Sequence, residues 1–241
     1  MHLFTKIDII YNFTNAKHRR TMKQINILYI HGMGGGGDSR IPSILNEQIN
    51  AKTAQEADAH INVIIRTYDF NPEIAEKQIA LWVQETSPSL IVGESLGSIL
   101  AMALSGFPHI LVSPSLNAPL YFDKLAFLAG VPGVTALADW YFRPKEGDRQ
   151  QLHFTYSLMK KWGPYREKAL ANSPARGGAD SFFAFFGTRD NYRKTGIVRV
   201  TTYRKYFGDR YQIFKGSHYM PDDCVVNMLI PKILETLGLV N

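Results

Sequence analysis

The residues that most clearly suggest chemistry form the pentapeptide Gly93-Glu94-Ser95-Leu96-Gly97, which has the pattern G-x-S-x-G. It follows the short apolar run 90–92 and precedes the helical pattern 98–104. A sharp turn from strand to helix needs glycines where the neighbouring backbone leaves no room for a Cβ, and it lifts the serine hydroxyl above the edge of the sheet. The pattern therefore predicts Ser95 as a nucleophile; the alternative is a serine that only caps a helix.

A serine hydroxyl is a weak nucleophile, so it needs a neutral imidazole to take its proton and a carboxylate to orient that imidazole. In one known arrangement of these three groups on a parallel sheet, the acid comes after a later strand than the nucleophile and the histidine comes after the last strand. His218 lies just past the apolar run 211–214, and Asp190 lies just past the aromatic run 181–186. We predict His218 as the base, against a solvated loop histidine, and Asp190 as the acid, against a helix cap.

Acyl transfer also needs hydrogen-bond donors where negative charge develops on the carbonyl oxygen. One predicted donor is the backbone N–H of Leu96, directly after the nucleophile, and the second is the N–H of Met33, in the loop after the first strand. His31, which precedes Gly32 in this loop, is expected to hold the loop by hydrogen bonding rather than to transfer protons.

The same loop also fits a nucleotide-binding pattern, because Gly32-Met33-Gly34-Gly35-Gly36-Gly37 satisfies G-x-G-x-x-G. A dinucleotide site would need an acidic residue about 20 positions further on to bind the ribose. Glu47 and Glu56 lie in a helical stretch and Asp69 is too distant, so this interpretation is set aside. No Gly-Lys-Ser/Thr follows the glycines, which argues against a P-loop.

Short β-branched or aromatic runs recur along the chain, and most are followed by a helical pattern, as in parallel sheets covered by helices on both faces. The predicted strands are 25–30, 61–66, 90–92, 109–112, 181–186 and 211–214, and helices are expected near 40–55, 72–86, 95–106 and 223–237. We therefore predict one α/β domain with a minimal, mostly parallel sheet of about six strands.

More than sixty residues separate the fourth and fifth predicted strands, which is too many for a bare connection. We predict a helical insertion over about 117–180, rich in aromatic residues. Two roles stay open for it: a lid or pocket wall over the site, or a purely structural unit.

Composition excludes several classes of protein. The chain has 241 residues, 45% of them hydrophobic, so fibrous and disordered classes do not fit. Its net charge of +6 is concentrated in residues 143–210, which hold 15 Lys/Arg against 6 Asp/Glu. No nucleic-acid-binding motif accompanies this charge, so a solvated face is favoured over a surface for anionic substrates or lipid headgroups, and no nucleic-acid partner is expected.

The N-terminus shows no convincing signal peptide, and residues 1–21 are expected to be an extension before a domain at 22–241. No apolar run is long enough to predict a membrane span. Cys224 is the single cysteine, so no internal disulfide can form, and no zinc-binding spacing is present. We predict a cytoplasmic protein without metal or cofactor.

With Ile-His-Gly-Met-Gly, Gly-Glu-Ser-Leu-Gly, Gly-Thr-Arg-Asp and Gly-Ser-His in this order, the chain resembles the α/β-hydrolase superfamily over about residues 22–240. It looks most like small bacterial serine esterases of the YqiA type, in which a Val-Asn-Pro-Ala run is similar to Val-Ser-Pro-Ser-Leu at 112–116 here. The resemblance implies an α/β-hydrolase fold with Ser95, Asp190 and His218 as nucleophile, acid and base. The longer insertion departs from that group, so substrate preference does not carry over.

The expected activity is hydrolysis of a small-molecule acyl ester through an acyl-enzyme. Thioesterase or peptidase chemistry on the same three residues stays open, as does a non-catalytic binding protein that retains the fold.

Overall fold

The structure is a computed structural model that describes residues 23–56, 59–144 and 146–240. The predicted N-terminal extension, 1–21, lies outside the described residues.

The described chain is organised around one six-stranded sheet, in the order β2-β1-β3-β4-β5-β6. All five neighbouring pairs are parallel. The strands are β1 Lys23–Ile30, β2 Ala59–Ile65, β3 Leu90–Glu94, β4 His109–Val112, β5 Phe182–Gly187 and β6 Tyr211–Phe214. The predicted α/β architecture of about six strands is therefore confirmed, and every carboxyl end of a strand faces the same edge of the sheet.

Helices cover both faces of this sheet. They are α1 Arg40–Glu56, α2 Pro72–Thr86, α3 Gly97–Met102, α4 Ala118–Leu125, α5 Val134–Tyr141, α6 Tyr156–Ala171, α7 Asn191–Thr195, α8 Val200–Phe207, α9 Asp222–Cys224 and α10 Ile230–Thr236. Two 3₁₀ segments, Ala126–Gly130 and Pro174–Arg176, and a π-helical segment, Val225–Leu229, complete the described elements.

Alternation along the strands divides the core into two layers, because successive side chains of a strand point to opposite faces. Ile25 and Ile27 pack with the buried side chains of α1 and α10. Leu28 and Ile30 pack on the opposite face with those of α2, α3, α6 and α8. Burial on both faces explains why the strands read as near-continuous apolar runs.

Two predicted helices differ from the structure. The helix expected at 95–106 occupies only α3, because Ser95 has a left-handed backbone (φ 49°) and belongs to the turn. The terminal helix expected at 223–237 is interrupted by the π-helical segment, which ends just before Pro231. Proline has no N–H to donate to the preceding turn, so the regular bonding pattern cannot pass through it.

The chain between β4 and β5, where the insertion was predicted, contains α4, α5, α6 and the two 3₁₀ segments. Its aromatic residues fall into two groups. Trp162 is fully buried and packs against Phe70 and Phe122, with ring centroids 5.8 and 6.2 Å away. Trp140 and Tyr141, by contrast, are exposed. One part of this segment therefore belongs to the core and the other faces outward.

Within the residues that the structure describes, no helix combines the length and the apolar character needed to cross a membrane.

A buried histidine at the start of β4 predicts a pH-dependent stability. His109 stacks on Phe182 and its Nε2 lies 3.0 Å from the Ala101 carbonyl oxygen. Burial lowers its pKa from 6.5 to about 4. Between these two values the unfolded chain binds a proton that the folded chain does not, so stability falls as the pH is lowered from about 6.5 towards 4, by about 3 kcal/mol for a shift of this size.

His109→Phe should keep the stacking and remove this contribution, so its urea midpoint should fall less between pH 7 and pH 4.5 than that of the wild type. His60→Asn, on the edge strand β2, is the matched control and should retain the wild-type decline. Equal declines in wild type and His109→Phe would contradict the assignment.

Candidate active site

The turn between β3 and α3 holds Ser95 in a left-handed conformation, with φ 49°. The glycines on either side permit this turn by close approach. A Cβ on Gly93 would lie 2.7 Å from the Ala101 Cβ, and a Cβ on Gly97 would lie 2.1 Å from the His31 carbonyl oxygen. Ser95 therefore stands at the carboxyl end of a central strand, with its hydroxyl directed towards the loops of the neighbouring strands.

His218 reaches this hydroxyl from the loop after β6. Its Nε2 lies 2.8 Å from Ser95 Oγ. The ring makes edge-on contacts with Tyr192 and Tyr219, whose centroids are 4.7 and 5.7 Å away. The side chain is only 8% exposed, so the imidazole approaches Ser95 from a largely enclosed position.

Asp190 lies in the loop after β5, and its two carboxylate oxygens have different partners. Oδ2 lies 2.8 Å from His218 Nδ1, whereas Oδ1 accepts from the backbone N–H of Tyr192 at 2.8 Å and caps α7. The contact expected of an acid and the helix cap are therefore both present at this residue. An ionised carboxylate only accepts hydrogen bonds, so His218 carries its hydrogen on Nδ1 and leaves Nε2 to accept from the Ser95 hydroxyl.

The loops that carry Asp190 and His218 are also joined through their backbones. The N–H groups of Thr188 and Arg189 donate to the carbonyls of Phe214 and Gly216 at 2.9 and 2.8 Å. Gly187 permits this approach, since a Cβ there would lie 2.0 Å from the Ser217 carbonyl oxygen. The separation of His218 from Asp190 is thus set by main-chain bonds as well as by the side chains.

Two serines that the sequence analysis did not single out complete the surroundings of the site. Ser113, also left-handed (φ 47°), donates from Oγ to the His218 carbonyl at 2.7 Å. Ser115 Oγ lies 3.2 Å from Ser95 Oγ. Both belong to the Val-Ser-Pro-Ser-Leu run noted for its resemblance, which was the available signal, but their contacts arise only when the loops after β3, β4 and β6 meet.

The two predicted oxyanion donors, Met33 and Leu96, both line the pocket next to Ser95. Gly32 brings the first loop close, because a Cβ there would lie 3.0 Å from the Ser95 Cβ. Among the described residues, neither the Met33 nor the Leu96 backbone N–H has an acceptor in the protein. These two donors are therefore available at the mouth of the turn.

His31 lies beside this loop but takes no part in the Ser95 contacts. Its Nδ1 donates to the Gly32 carbonyl at 2.7 Å, its ring stacks on Tyr68 at 4.2 Å, and its carbonyl accepts from the Tyr68 hydroxyl at 2.6 Å. Burial lowers the pKa of the imidazole to about 4, so it is neutral at physiological pH. These contacts agree with a role in holding the loop.

The glycine run after His31 packs against residues 148–150, which precede α6. Gly34 N–H donates to the Gln150 side chain at 3.1 Å, and Gln150 N–H donates to the Gly35 carbonyl at 2.7 Å. A Cβ on Gly36 would lie 1.6 Å from the Asp148 carbonyl oxygen. Glycine is needed here for close packing against residues 148–150, and this packing was not apparent from the sequence.

A cavity of about 300 Å³ opens beside Ser95 and His218. Its apolar wall includes Leu96, Phe122 and Ile197, and its polar wall includes Glu94 and Arg149. The Tyr29 hydroxyl donates to Glu94 at 2.7 Å. Burial raises the pKa of this carboxyl above its usual value. The cavity can take a small molecule with both apolar and polar parts.

Solved structures with a similar architecture align over most of this chain. Est1E from Butyrivibrio proteoclasticus, solved with ferulic acid, aligns with a TM-score of 0.60 and 13% sequence identity, over 91% of this chain and 92% of that one. The chain has the α/β-hydrolase fold. A monoacylglycerol lipase from Paleococcus ferrophilus aligns with a TM-score of 0.54 and 16% identity, over 89% of this chain and 94% of that one.

At these identities the likeness establishes the fold alone. No protein-family model and no curated protein matches the chain. The narrower resemblance to the YqiA-type group stays a prediction.

The close approach at Gly97 predicts a cost for any side chain there. Gly97→Ala should shift the turn, lowering stability by about 1–3 kcal/mol and moving Ser95 away from His218. Gly163→Ala is the matched control: it lies within α6 and has no atom within 4 Å of its ideal Cβ. This control should be neutral or stabilising by roughly 0.5–1 kcal/mol. Urea unfolding of both variants measures the difference; equal stabilities would count against the steric argument.

Proposed function

We propose that the protein is a serine hydrolase that cleaves carboxylic esters through an acyl-enzyme. The observation that carries this proposal is a pair of contacts made by the His218 ring. Its Nε2 lies 2.8 Å from Ser95 Oγ, and its Nδ1 lies 2.8 Å from Asp190 Oδ2. This is the arrangement that a hydroxyl needs in order to lose its proton as it attacks a carbonyl.

In the first step, Ser95 Oγ attacks the ester carbonyl while its proton passes to His218 Nε2. The imidazolium that forms is stabilised by the Asp190 carboxylate at Nδ1. His218 then gives the proton to the departing alkoxide, which leaves an acyl group on Ser95. Water, deprotonated by the same imidazole, attacks the acyl-enzyme and releases the carboxylic acid.

We assign to the backbone N–H groups of Met33 and Leu96 the role of stabilising the negative charge on the carbonyl oxygen. Their lack of an acceptor among the described residues supports this role, because preorganised donors stabilise the oxyanion without reorganisation. The hydrogen bonds of His31 and Gln150 to the glycine loop would keep the first donor in place.

Thioester and amide cleavage use the same groups, so matched ester, thioester and amide substrates rank these activities. Binding without turnover of any of them, by folded protein with an accessible Ser95, would favour the non-catalytic alternative.

We propose the cytoplasm as the compartment, since the single cysteine offers no disulfide that an oxidising environment would favour.

The nucleophile is tested by covalent labelling. A fluorophosphonate probe should label the wild type and not Ser95→Ala, because the probe requires an activated hydroxyl. Ser105→Ala, at an exposed serine away from the pocket, is the control and should label like the wild type. Labelling of Ser95→Ala at the wild-type level would overturn the assignment.

The two contacts of Asp190 can be separated by two substitutions. Asp190→Asn keeps an oxygen for the Tyr192 N–H but can donate to His218 Nδ1 and so favours the wrong tautomer; kcat should fall about 10⁴-fold with stability nearly unchanged. Asp190→Ala should lower kcat to a similar extent. It should also lower the free energy of unfolding by about 1 kcal/mol, because the helix cap is lost. Ester kinetics and urea unfolding provide the two measurements. Wild-type kcat in Asp190→Asn would exclude Asp190 as the acid.

A further inference from the structure

An apolar part of the insertion lies outside the core. Large apolar side chains exposed in the 3₁₀ segment, α5 and the turn between them include Phe127, Leu128, Val131, Leu137, Trp140 and Tyr141, which we call the apolar patch. Helix α5 reads Val-Thr-Ala-Leu-Ala-Asp-Trp-Tyr, and none of its eight residues, all described, is buried. A helix of this composition normally buries one face, so an exposed one indicates an interaction surface.

A continuous row of aromatic contacts links this patch to the candidate active site. Phe122, in the pocket wall, contacts Phe70, which in turn contacts Phe154, with centroid separations of 6.2 and 5.3 Å. Phe154 contacts Phe142 at 5.1 Å, and Phe142 contacts Tyr141 of the patch at 4.9 Å. The patch is therefore connected to the pocket wall by packed aromatic rings.

Cationic side chains accompany the patch and the pocket mouth. The Arg143 guanidinium lies over the Trp140 ring, 5.4 Å from its centroid. Arg193 and Lys194 are exposed on α7, the helix that presents Tyr192 to the pocket, and Arg189 is exposed just before it. None of the ion pairs formed between described residues includes any of these four cations.

Exposed apolar side chains, with one cation beside them and three more at the pocket mouth, match the boundary of an anionic bilayer, where apolar groups enter the acyl region and cations meet the headgroups. A second copy of the chain would match the apolar side chains but bring like charges together. We propose that the apolar patch docks on the surface of anionic lipid bilayers. The pocket would then take its ester from that surface, a part that rests on the proposed hydrolase function.

Trp140 provides a direct probe of docking, because it is exposed whereas Trp82 and Trp162 are buried. Vesicles of phosphatidylcholine with phosphatidylglycerol should shift the tryptophan emission to shorter wavelength and carry the protein upward in flotation. Vesicles of phosphatidylcholine alone should bind at least about tenfold more weakly, because several cations lose their partners.

The double variant Phe127→Ser/Trp140→Ser should lower the partition coefficient at least about tenfold. Leu81→Ser, at a comparably exposed leucine on α2, is the matched control and should bind like the wild type. Absence of binding to either vesicle, equal binding by the double variant, or a dimer at the same protein concentration in place of binding would each overturn the proposal.

Turnover of a soluble short-chain ester should be unchanged in the double variant. If the wild type binds vesicles but turns over no ester, the hydrolase function is contradicted and the proposal of a docking surface stands.

A second inference concerns Ser115 and rests on hydrogen-bond capacity. The single hydrogen of the Ser95 hydroxyl is directed to His218 Nε2, so Ser115 must donate in the 3.2 Å contact between the two oxygens. Ser115 is only 3% exposed, and Ser95 Oγ is the one partner of its hydroxyl among the described residues.

The geometry points to Ser115 as a catalytic residue for the second half of the reaction. In the acyl-enzyme, Ser95 Oγ is an ester oxygen and a poor acceptor. As water attacks and the bond between the acyl carbon and Oγ breaks, negative charge returns to Oγ until His218 protonates it. The Ser115 hydroxyl can stabilise that charge, so its hydrogen bond is stronger in the transition state of deacylation than in the acyl-enzyme. This inference rests on the proposed function.

Ser115→Ala should slow deacylation about tenfold while kcat/KM, which reports acylation, changes by less than about twofold. The acylated fraction during turnover of a p-nitrophenyl ester, measured by mass spectrometry after acid quench, should rise. Ser115→Thr should restore the wild-type fraction.

An unchanged acylated fraction, or an equal fall in kcat and kcat/KM, would overturn the role of Ser115. Absence of any ester turnover by the wild type would contradict the hydrolase function instead.

Discussion

The candidate site depends on one imidazole held between a hydroxyl and a carboxylate. His218 can accept from Ser95 only while Asp190 fixes its hydrogen on Nδ1, so a small movement of either loop would break the line. The sheet meets this requirement by its topology. Because all described strands are parallel, the loops after β3, β5 and β6 emerge at the same edge, and their separation is fixed by the spacing of strands.

The loops do not depend on the three side chains alone. Main-chain hydrogen bonds join the loop of Asp190 to the loop of His218, and Ser113 joins the loop after β4 to the His218 carbonyl. Left-handed backbone at Ser95 and Ser113, which is costly for residues with a Cβ, occurs on two adjacent strands at this edge. Strain of this kind persists where surrounding bonds over-determine the conformation, as they do here.

Much of this arrangement could be predicted from the sequence. The strands were predictable because apolar runs bounded by Gly, Pro and polar residues mark buried parallel strands, and Ser95, Asp190 and His218 each follow such a run. The start of α3 was misplaced by two residues, since Ser95 sits in a turn whose conformation depends on contacts with the first loop. Ser115 and Gln150 could not be found from local pattern, because each acts on a residue at least twenty positions away. The outward position of α5 was equally hidden, as its composition is that of a buried helix.

The packing of residues 148–150 on the glycine run has a consequence for how such proteins diversify. The returning arm of the insertion supplies a side-chain acceptor to Gly34, immediately beside a backbone N–H assigned to the oxyanion. An exchange of insertions between relatives would therefore change the support of the glycine loop together with the part of the pocket wall that the insertion supplies. Recombination that respects this coupling has its boundary after Gln150, not at the ends of the neighbouring strands.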